Sequence, residues 1–392
     1  MNSFTLYPKQ KEAVDFLLKV KRGLLNYEMG AGKTLTALTA AQRLGLPVTI
    51  FAPPFLLRTW EKEITKFSFS FPSLRILRTS KLDLVPLENS IWIIDEFHYF
   101  KNITAQRTKN LFKILYIYRP EFVFMLTGSP MLRCGADMYS AFVIGNRQLA
   151  YEKYHKYSTF RDTFTHKEAL RLGPKIVSRY SGLRNTELLQ EMISPFTSVA
   201  RLADIVPVGE FVDFNHMVGT GREWELRDAY IAFENGRGVS EIKTDSAKAK
   251  AAHTIDYALK IYEENQTPIL IFSDHVESAK RIAQGLSAPL ITGKTPTQDR
   301  FSIVENFKLN GNFLVATIGA AGVGLSLENC KDVIFNDISW SHGINAQASS
   351  RIRRANSDGP LRRHYVLGGE ADAMILEKVV EKEKNTKELF NF

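Results

Sequence analysis

Tyr27-Glu28-Met29-Gly30-Ala31-Gly32-Lys33-Thr34 decides how the rest of this 392-residue chain is read. An apolar run, Gly23-Leu24-Leu25, precedes it, and Leu35-Thr36-Ala37-Leu38-Thr39-Ala40-Ala41, rich in good helix formers, follows. The pattern is strand, glycine turn, helix. In such a turn the backbone N–H groups point inward and the helix adds its positive dipole end, so a polyphosphate can be held by the backbone itself. Lys33 would reach the β- and γ-phosphates, and the Thr34 hydroxyl would ligate Mg2+. The strict pattern G-x-x-x-x-G-K-[ST] asks for glycine at position 27, where this chain has Tyr27. A glycine turn that merely caps a helix start satisfies the stretch as well. The downstream motifs decide between the two.

Upstream, Ala13, Val14, Phe16, Leu17 and Leu18 have helical spacing, with Pro8 suited to the first turn. Gln10 would open that helix, and its amide can both donate and accept, as reading an adenine edge requires. Downstream, Val48 to Ala52 reads as a buried strand running into Pro53-Pro54, and a helix containing Trp60 follows. Ile91-Trp92-Ile93-Ile94 is a strong strand ending in Asp95-Glu96-Phe97-His98. Two adjacent carboxylates at the end of a central strand are expensive to place without a cation nearby. In a phosphate-loop nucleotidase Asp95 would hold Mg2+, and Glu96 would position and activate the attacking water. Another strand, Glu121 to Leu126, ends in Thr127-Gly128-Ser129-Pro130, whose hydroxyls could relay hydrogen bonds away from such a site. Strand–helix alternation over 23–130 predicts a parallel α/β sheet with its ligand at the C-terminal strand edge. Residues 131–205 read as a helical extension rich in aromatics such as Phe142, Tyr154, Phe160 and Phe164, best taken as core.

Scattered glycines and irregular polarity make 206–245 an inter-lobe linker, so the first lobe is 1–205 and the second 246–392. The second lobe alternates again, with strands at 268–272, 290–292, 313–317 and 333–336, and helices between them. It carries no second phosphate loop, since Gly293-Lys294-Thr295 has no glycine in the five residues before it, so it would answer to the first lobe's nucleotide. A helix is predicted over Asn345–Arg354. On it Gln347, Arg351 and Arg354 fall at 0°, about 40° and about −20°, a shared face that offers two guanidiniums to a phosphate. The glycines of Gly319–Gly324 permit close backbone approach, and the charged segment 370–392 reads as a surface helix.

The chain is 44% hydrophobic and 24% charged, as expected of a soluble globular protein. Its net charge of +9 points to a polyanionic partner, nucleic acid before membrane. Cys134 and Cys330 show no metal-ligand spacing and no disulfide framework. The N-terminus lacks a signal-peptide pattern and no apolar run approaches spanning length, so a cytoplasmic protein, nucleoid- or nucleus-associated, is expected.

Taken in order, these motifs resemble those of the superfamily two helicases and translocases, and among them the Swi/Snf-like ATPases, closest to the annealing-helicase subgroup. Leu6–Gln10 is similar to the Q motif, Glu28–Thr34 to motif I, Ala52–Glu63 to motif Ia, Asp95–His98 to motif II and Leu126–Pro130 to motif III. Ile269–Ser273 resembles motif IV, Ala316–Leu327 with Asp337 motif V, and Gln347–Arg354 motif VI. The resemblance implies two tandem RecA-like parallel-sheet lobes, with the helical extension ending lobe one, closing over ATP and Mg2+ while tracking along nucleic acid. Glu28, Met29, Gly30, Ala31, Gly32, Lys33 and Thr34, with Gln10, Gly322, Gly324 and Gln347, would contact the nucleotide. Lys33, Asp95, Glu96, Arg351 and Arg354 would be catalytic, and Thr34 and Asp95 would hold the metal. Pro53, Trp60, Thr292, Arg300, Thr317 and Trp340 would face the nucleic acid. Phe97, Ser129, Ala200-Arg201 and Asn356-Ser357 depart from the family pattern. The function implied is an ATP-dependent translocase on double-stranded or branched DNA, with a recruiting protein partner in view. A strand-separating RNA or DNA helicase and a nucleotide-gated DNA clamp are the alternatives.

Overall fold

The computed structural model describes residues 4–79, 85–172, 175–220, 239–322, 327–353 and 359–391. They divide into two compact units, Met1–Val206 with Lys382–Phe392, and Pro207–Glu381.

In the first unit, β1 (Arg22–Tyr27), β2 (Val48–Ala52), β3 (Leu74–Arg78), β4 (Ile91–Ile94), β5 (Val123–Thr127) and β8 (Thr197–Ala200) form one sheet in the order β3-β2-β4-β5-β1-β8. Every pairing is parallel, with Leu24 opposite Met125 and Ile50 opposite Ile93. A parallel sheet is covered on both faces, so its strands read as unbroken apolar runs. Alternate residues of β1 and β4 serve different cores. Leu24, Trp92 and Ile94 join one cluster, and Leu25, Ile91 and Ile93 the other. The second cluster is closed by α1 (Pro8–Val20), α2 (Lys33–Leu44) and α3 (Leu57–Lys66). The first is closed by α4 (Gln106–Tyr118), α5 (Tyr139–Gly145), α6 (Arg147–Lys153), α7 (Tyr157–Phe164) and α8 (Thr186–Ile193). Most aromatics of the extension are core, as expected: Phe142, Phe160 and Phe164 are fully buried, with the Phe160 and Phe164 rings 4.7 Å apart, whereas Tyr151 is exposed.

The extension is helical only in part. His166–Leu172 (β6) and Lys175–Ser181 (β7) pair as an antiparallel hairpin outside the main sheet. Its strands are rich in charged and small residues, which hides the strand periodicity.

In the second unit, β9 (Phe211–Met217), β10 (Ile269–Ser273), β11 (Leu290–Ile291), β12 (Phe313–Thr317), β13 (Asp332–Phe335) and β14 (Leu361–Leu367) form a parallel sheet in the order β11-β12-β10-β13-β14-β9. Helices α9 (Val239–Asn265), α10 (Val276–Gly285), α11 (Thr297–Asn310), α12 (His342–Ser349) and α13 (Glu370–Phe390) complete the described elements. Two expectations are corrected here. The stretch read as linker contains β9, a largely exposed edge strand whose Asp213 pairs with the Arg363 guanidinium at 2.6 Å, so its apolar pattern is diluted by the exposed face. The segment 370–392 is not a surface helix. Ala371, Ile375, Leu376 and Val379 are buried in the second unit, while Leu389 and Phe390 belong to a core of the first. Among the described residues no helix is long and apolar enough to cross a membrane.

Candidate nucleotide site

Three neighbouring strands, β4, β5 and β1, end side by side in the first unit, and their ends carry the acidic pair, Thr127-Gly128-Ser129 and the glycine turn. The turn takes two left-handed residues, Gly30 at φ 83° and Gly32 at φ 81°, which any side chain would strain. A Cβ at Gly32 would also run into the Gln10 amide, and one at Gly128 would come within 3.1 Å of the Tyr27 carbonyl. Lys33 opens α2 and curls into the turn, its Nζ donating to the carbonyls of Tyr27 at 2.7 Å and Glu28 at 3.2 Å. Thr34 follows on the first turn of the helix. Tyr27, where glycine was expected, turns its ring away from the loop. It is fully buried with the α1 and α2 residues, and its hydroxyl donates to the Lys9 carbonyl at 3.2 Å.

The structure gives the two flanking residues loop-holding contacts. Gln10 is buried, its Oε1 accepting the Tyr7 N–H at 3.1 Å and its Nε2 donating to the Ala31 carbonyl at 3.1 Å. The Glu28 carboxylate accepts the Leu202 N–H at 2.7 Å, and its own N–H donates to the Ala200 carbonyl at 2.8 Å. The strand at Ala200-Arg201 is thereby tied to the loop.

Asp95 follows β4 and is buried. Its Oδ1 accepts the Glu96 N–H at 2.8 Å, and its Oδ2 accepts the Trp60 indole N–H at 2.9 Å. Burial first, then the Glu96 carboxylate, pushes the Asp95 carboxyl up to about 6, against the pull of Trp60 and Lys33. Glu96 itself is left-handed, at φ 48° and ψ 51°. A non-glycine residue held there marks a position the surrounding structure over-determines. That backbone sends Phe97 into the core against Phe100, with ring centroids 5.7 Å apart, which accounts for the large residue in the acidic box. Glu96 Oε2 lies 3.2 Å from His98 Nδ1, which is also 3.2 Å from the Thr127 hydroxyl, and that oxygen accepts the Ser129 N–H at 3.1 Å. The relay expected at Thr127-Gly128-Ser129 thus has a physical path through His98.

These residues fit a magnesium-bound polyphosphate. The turn is pre-shaped for an anion, with a lysine inside it. A buried carboxylate held up by its neighbour is a group that a divalent cation would bring back down. Among the described residues no three His, Cys, Asp or Glu cluster as a metal site, so a cation at Asp95 and Thr34 would draw its other ligands from phosphate and water.

Several sequence-assigned contacts lie elsewhere. Trp60 is 1% exposed and serves Asp95, so its indole is closed to a nucleic acid. Arg300 is buried and donates to the carbonyls of Thr295 at 2.8 Å and Thr292 at 2.9 Å, holding that turn together. Pro53 is buried, its carbonyl accepting the Leu56 N–H at 2.9 Å. Thr317 is buried beside Ser273 in register, and Trp340 is partly buried against the second unit's core. In that unit α12 ends at Ser349, so Gln347 and Arg351 do not share a helical face. Arg351 follows in a turn, 2% exposed, with its carbonyl accepting the Leu327 N–H at 2.9 Å. Gly322 ends a short 3-10 turn, and Gly324 and Arg354 lie outside the described residues. Sequence reasoning missed the attachment of Trp60 to Asp95. An indole N–H buried ahead of an acidic strand end needs an acceptor, and that was the available signal. Spacing also did not show that Asp337 and Ser273, drawn from two separate motifs, meet: Asp337 accepts from the Ser273 hydroxyl, from the Asp274 N–H at 3.1 Å and from His275 Nδ1 at 2.7 Å.

Comparison with known proteins shows what the chain is similar to. Residues 250–356 match the helicase conserved C-terminal domain. Over 97% of its length the chain is 24% identical to the Xenopus laevis SWI/SNF-related matrix-associated actin-dependent regulator of chromatin subfamily A-like protein 1, covering 43% of that protein. It is 23% identical over 94% of its length to the DNA annealing helicase and endonuclease ZRANB3 of Bos taurus, covering 39%. It is 25% identical over 94% of its length to an uncharacterized ATP-dependent helicase of Mycoplasma pneumoniae, covering 40%. The chain therefore spans less than half the length of these relatives. With the two parallel-sheet units, the matches agree with the resemblance drawn from the motifs: the chain is similar to SWI/SNF-related proteins and ATP-dependent helicases, and carries the helicase C-terminal match in its second unit.

Proposed function

We propose that the chain is a nucleic-acid-stimulated ATPase that couples ATP hydrolysis to movement along double-stranded or branched DNA. The observation that carries this reading is the meeting, at adjacent strand ends, of a lysine-bearing glycine turn and a carboxylate pair whose second member is held in a strained backbone. On this reading the first unit binds ATP, and the resemblance to motif VI makes Arg354 the residue that would answer to its phosphates. Loop N–H groups and Lys33 orient the phosphates. Glu96, fixed by its backbone and by His98, holds the attacking water in line and takes its proton. Mg2+ held by Thr34 and Asp95 would neutralise charge on the transferred phosphoryl group. Thr127 and Ser129 give the hydrogen-bond path by which nucleotide state leaves the site. The DNA substrate is supported by the net charge of +9 and by the names of the relatives. Association with nucleoid or nucleus, and a recruiting protein, follow from that substrate.

The test is steady-state ATP turnover in three variants. Lys33→Ala should abolish nucleotide binding or turnover. Glu96→Gln should bind nucleotide without hydrolysing it, and wild-type turnover in that variant would remove Glu96 from the reaction. Arg354→Ala should retain binding while turnover falls at least about 10³-fold.

A further inference from the structure

Residues 147–184 carry nine Lys and Arg against three Asp and Glu, a net +6 in a chain whose whole net charge is +9. They form α6, α7 and the β6–β7 hairpin, all in the first unit. Arg147, Lys153, Lys156, Lys167, Arg179 and Arg184 are exposed. We propose that this surface, with the hairpin as its projecting arm, is a contact for the phosphate backbone of double-stranded DNA, separate from the helicase motifs. The inference rests on the DNA-translocase reading and supplies it with a binding surface.

Two observations make the hairpin a positioned arm. An isolated two-stranded ribbon is marginal in water, so its base must be fixed. Here it is: Gly135 N–H donates to the Gly182 carbonyl at 3.0 Å, Arg184 N–H to the Phe164 carbonyl at 3.1 Å, and the Asn185 amide to the Thr163 carbonyl at 2.8 Å. On one face Lys167 stands directly opposite Tyr180, and the Arg161 guanidinium lies 3.8 Å from the centre of the Tyr180 ring. A stacked guanidinium is held in place and keeps its charge, as phosphate contact requires. The arm also shares a base with the nucleotide site's output, because Cys134 and Gly135 lie in the segment that leaves Ser129.

The need for such a surface comes from the interior. Trp60, Arg300 and Pro53, assigned to nucleic acid by motif, are buried within the fold. Exposed cations must then carry much of the affinity, since neutralised phosphates dominate it and make it salt-dependent.

The experiment compares the wild type with Lys167→Ala/Arg179→Ala in the full chain, exposed positions on the two opposite faces of the ribbon, with Lys167 opposite Tyr180 and Arg179 opposite Glu168. Blunt duplex DNA binding is followed by fluorescence anisotropy across a salt series, and ATP turnover is measured with and without that DNA. The expected result is a log K against log salt slope shallower by about one to two, since each lost phosphate contact removes roughly one. Affinity should fall about tenfold, and the DNA concentration for half-maximal ATPase should rise in step. Turnover without DNA should be unchanged, and Lys167→Arg/Arg179→Lys should bind as the wild type does. An unchanged slope and affinity in the alanine variant, with a wild type that binds duplex and is stimulated by it, overturns this surface alone. A wild type indifferent to duplex DNA overturns the translocase reading, and this proposal with it.

Discussion

Glu96 holds a left-handed backbone, at φ 48°, that glycine would adopt without strain. Glu96→Gly should therefore raise the stability of the first unit by about 1 kcal/mol while turnover disappears. Denaturant unfolding reads the first effect, and a destabilised variant would show that the strain is not there. Trp60→Phe keeps the packed ring and removes the donor to Asp95. It should raise the Mg2+ concentration needed for nucleotide binding and leave duplex affinity unchanged, whereas a loss of DNA affinity would restore Trp60 to the nucleic-acid contacts. Asp332 gives a pH dependence with a definite sign. Burial works to raise its carboxyl, but the hydrogen bonds from Arg362 and His364 outweigh it and hold it down at about 2. A depressed folded value stabilises above the ordinary carboxylate range and is lost on acidification. Asp332 should contribute about 2 kcal/mol near neutrality, fading between about pH 5 and pH 2. Asp332→Asn should thus destabilise the second unit strongly at pH 7 and much less near pH 3. An equal loss at both would contradict the pairing.

At the scale of elements, what could be read from sequence followed how each strand is covered. The inner strands β1, β2, β4, β5, β10, β12 and β13 are buried on both faces, so their apolar runs announce them. The edge strand β9 and the hairpin expose most of their described side chains and give no such signal. Lys33, Asp95 and Glu96 were readable because each sits at a strand end that its own neighbours define. Trp60 was misassigned because its partner is brought by a strand 35 positions away in the chain, a contact that spacing does not encode. The helix through Arg354 was over-extended because helical spacing says nothing of the turn at Ser350, which ends α12. The charged C-terminal helix hid its buried face in the same way, since each half of α13 serves a different core. Leu389→Ala should cost about 2–5 kcal/mol in the first unit, measured by thermal unfolding. A surface helix would lose less than about 0.5 kcal/mol.

At the scale of the molecule, two parallel sheets each present a C-terminal strand edge. The first bears the lysine-containing turn with two left-handed glycines, Gly30 and Gly32, whereas Gly293-Lys294-Thr295 in the second has no glycine in the five residues before it. That asymmetry, together with a basic face outside the helicase motifs, supports an ATPase whose turnover answers to DNA. The measurement that tests this most directly is steady-state ATP hydrolysis by the full chain, with no polymer, duplex DNA, single-stranded DNA, a DNA fork and RNA in parallel. The account predicts strong stimulation by duplex or forked DNA, little by RNA, and none in Glu96→Gln. Stimulation mainly by RNA or single strands, or slow turnover indifferent to every polymer, would contradict it.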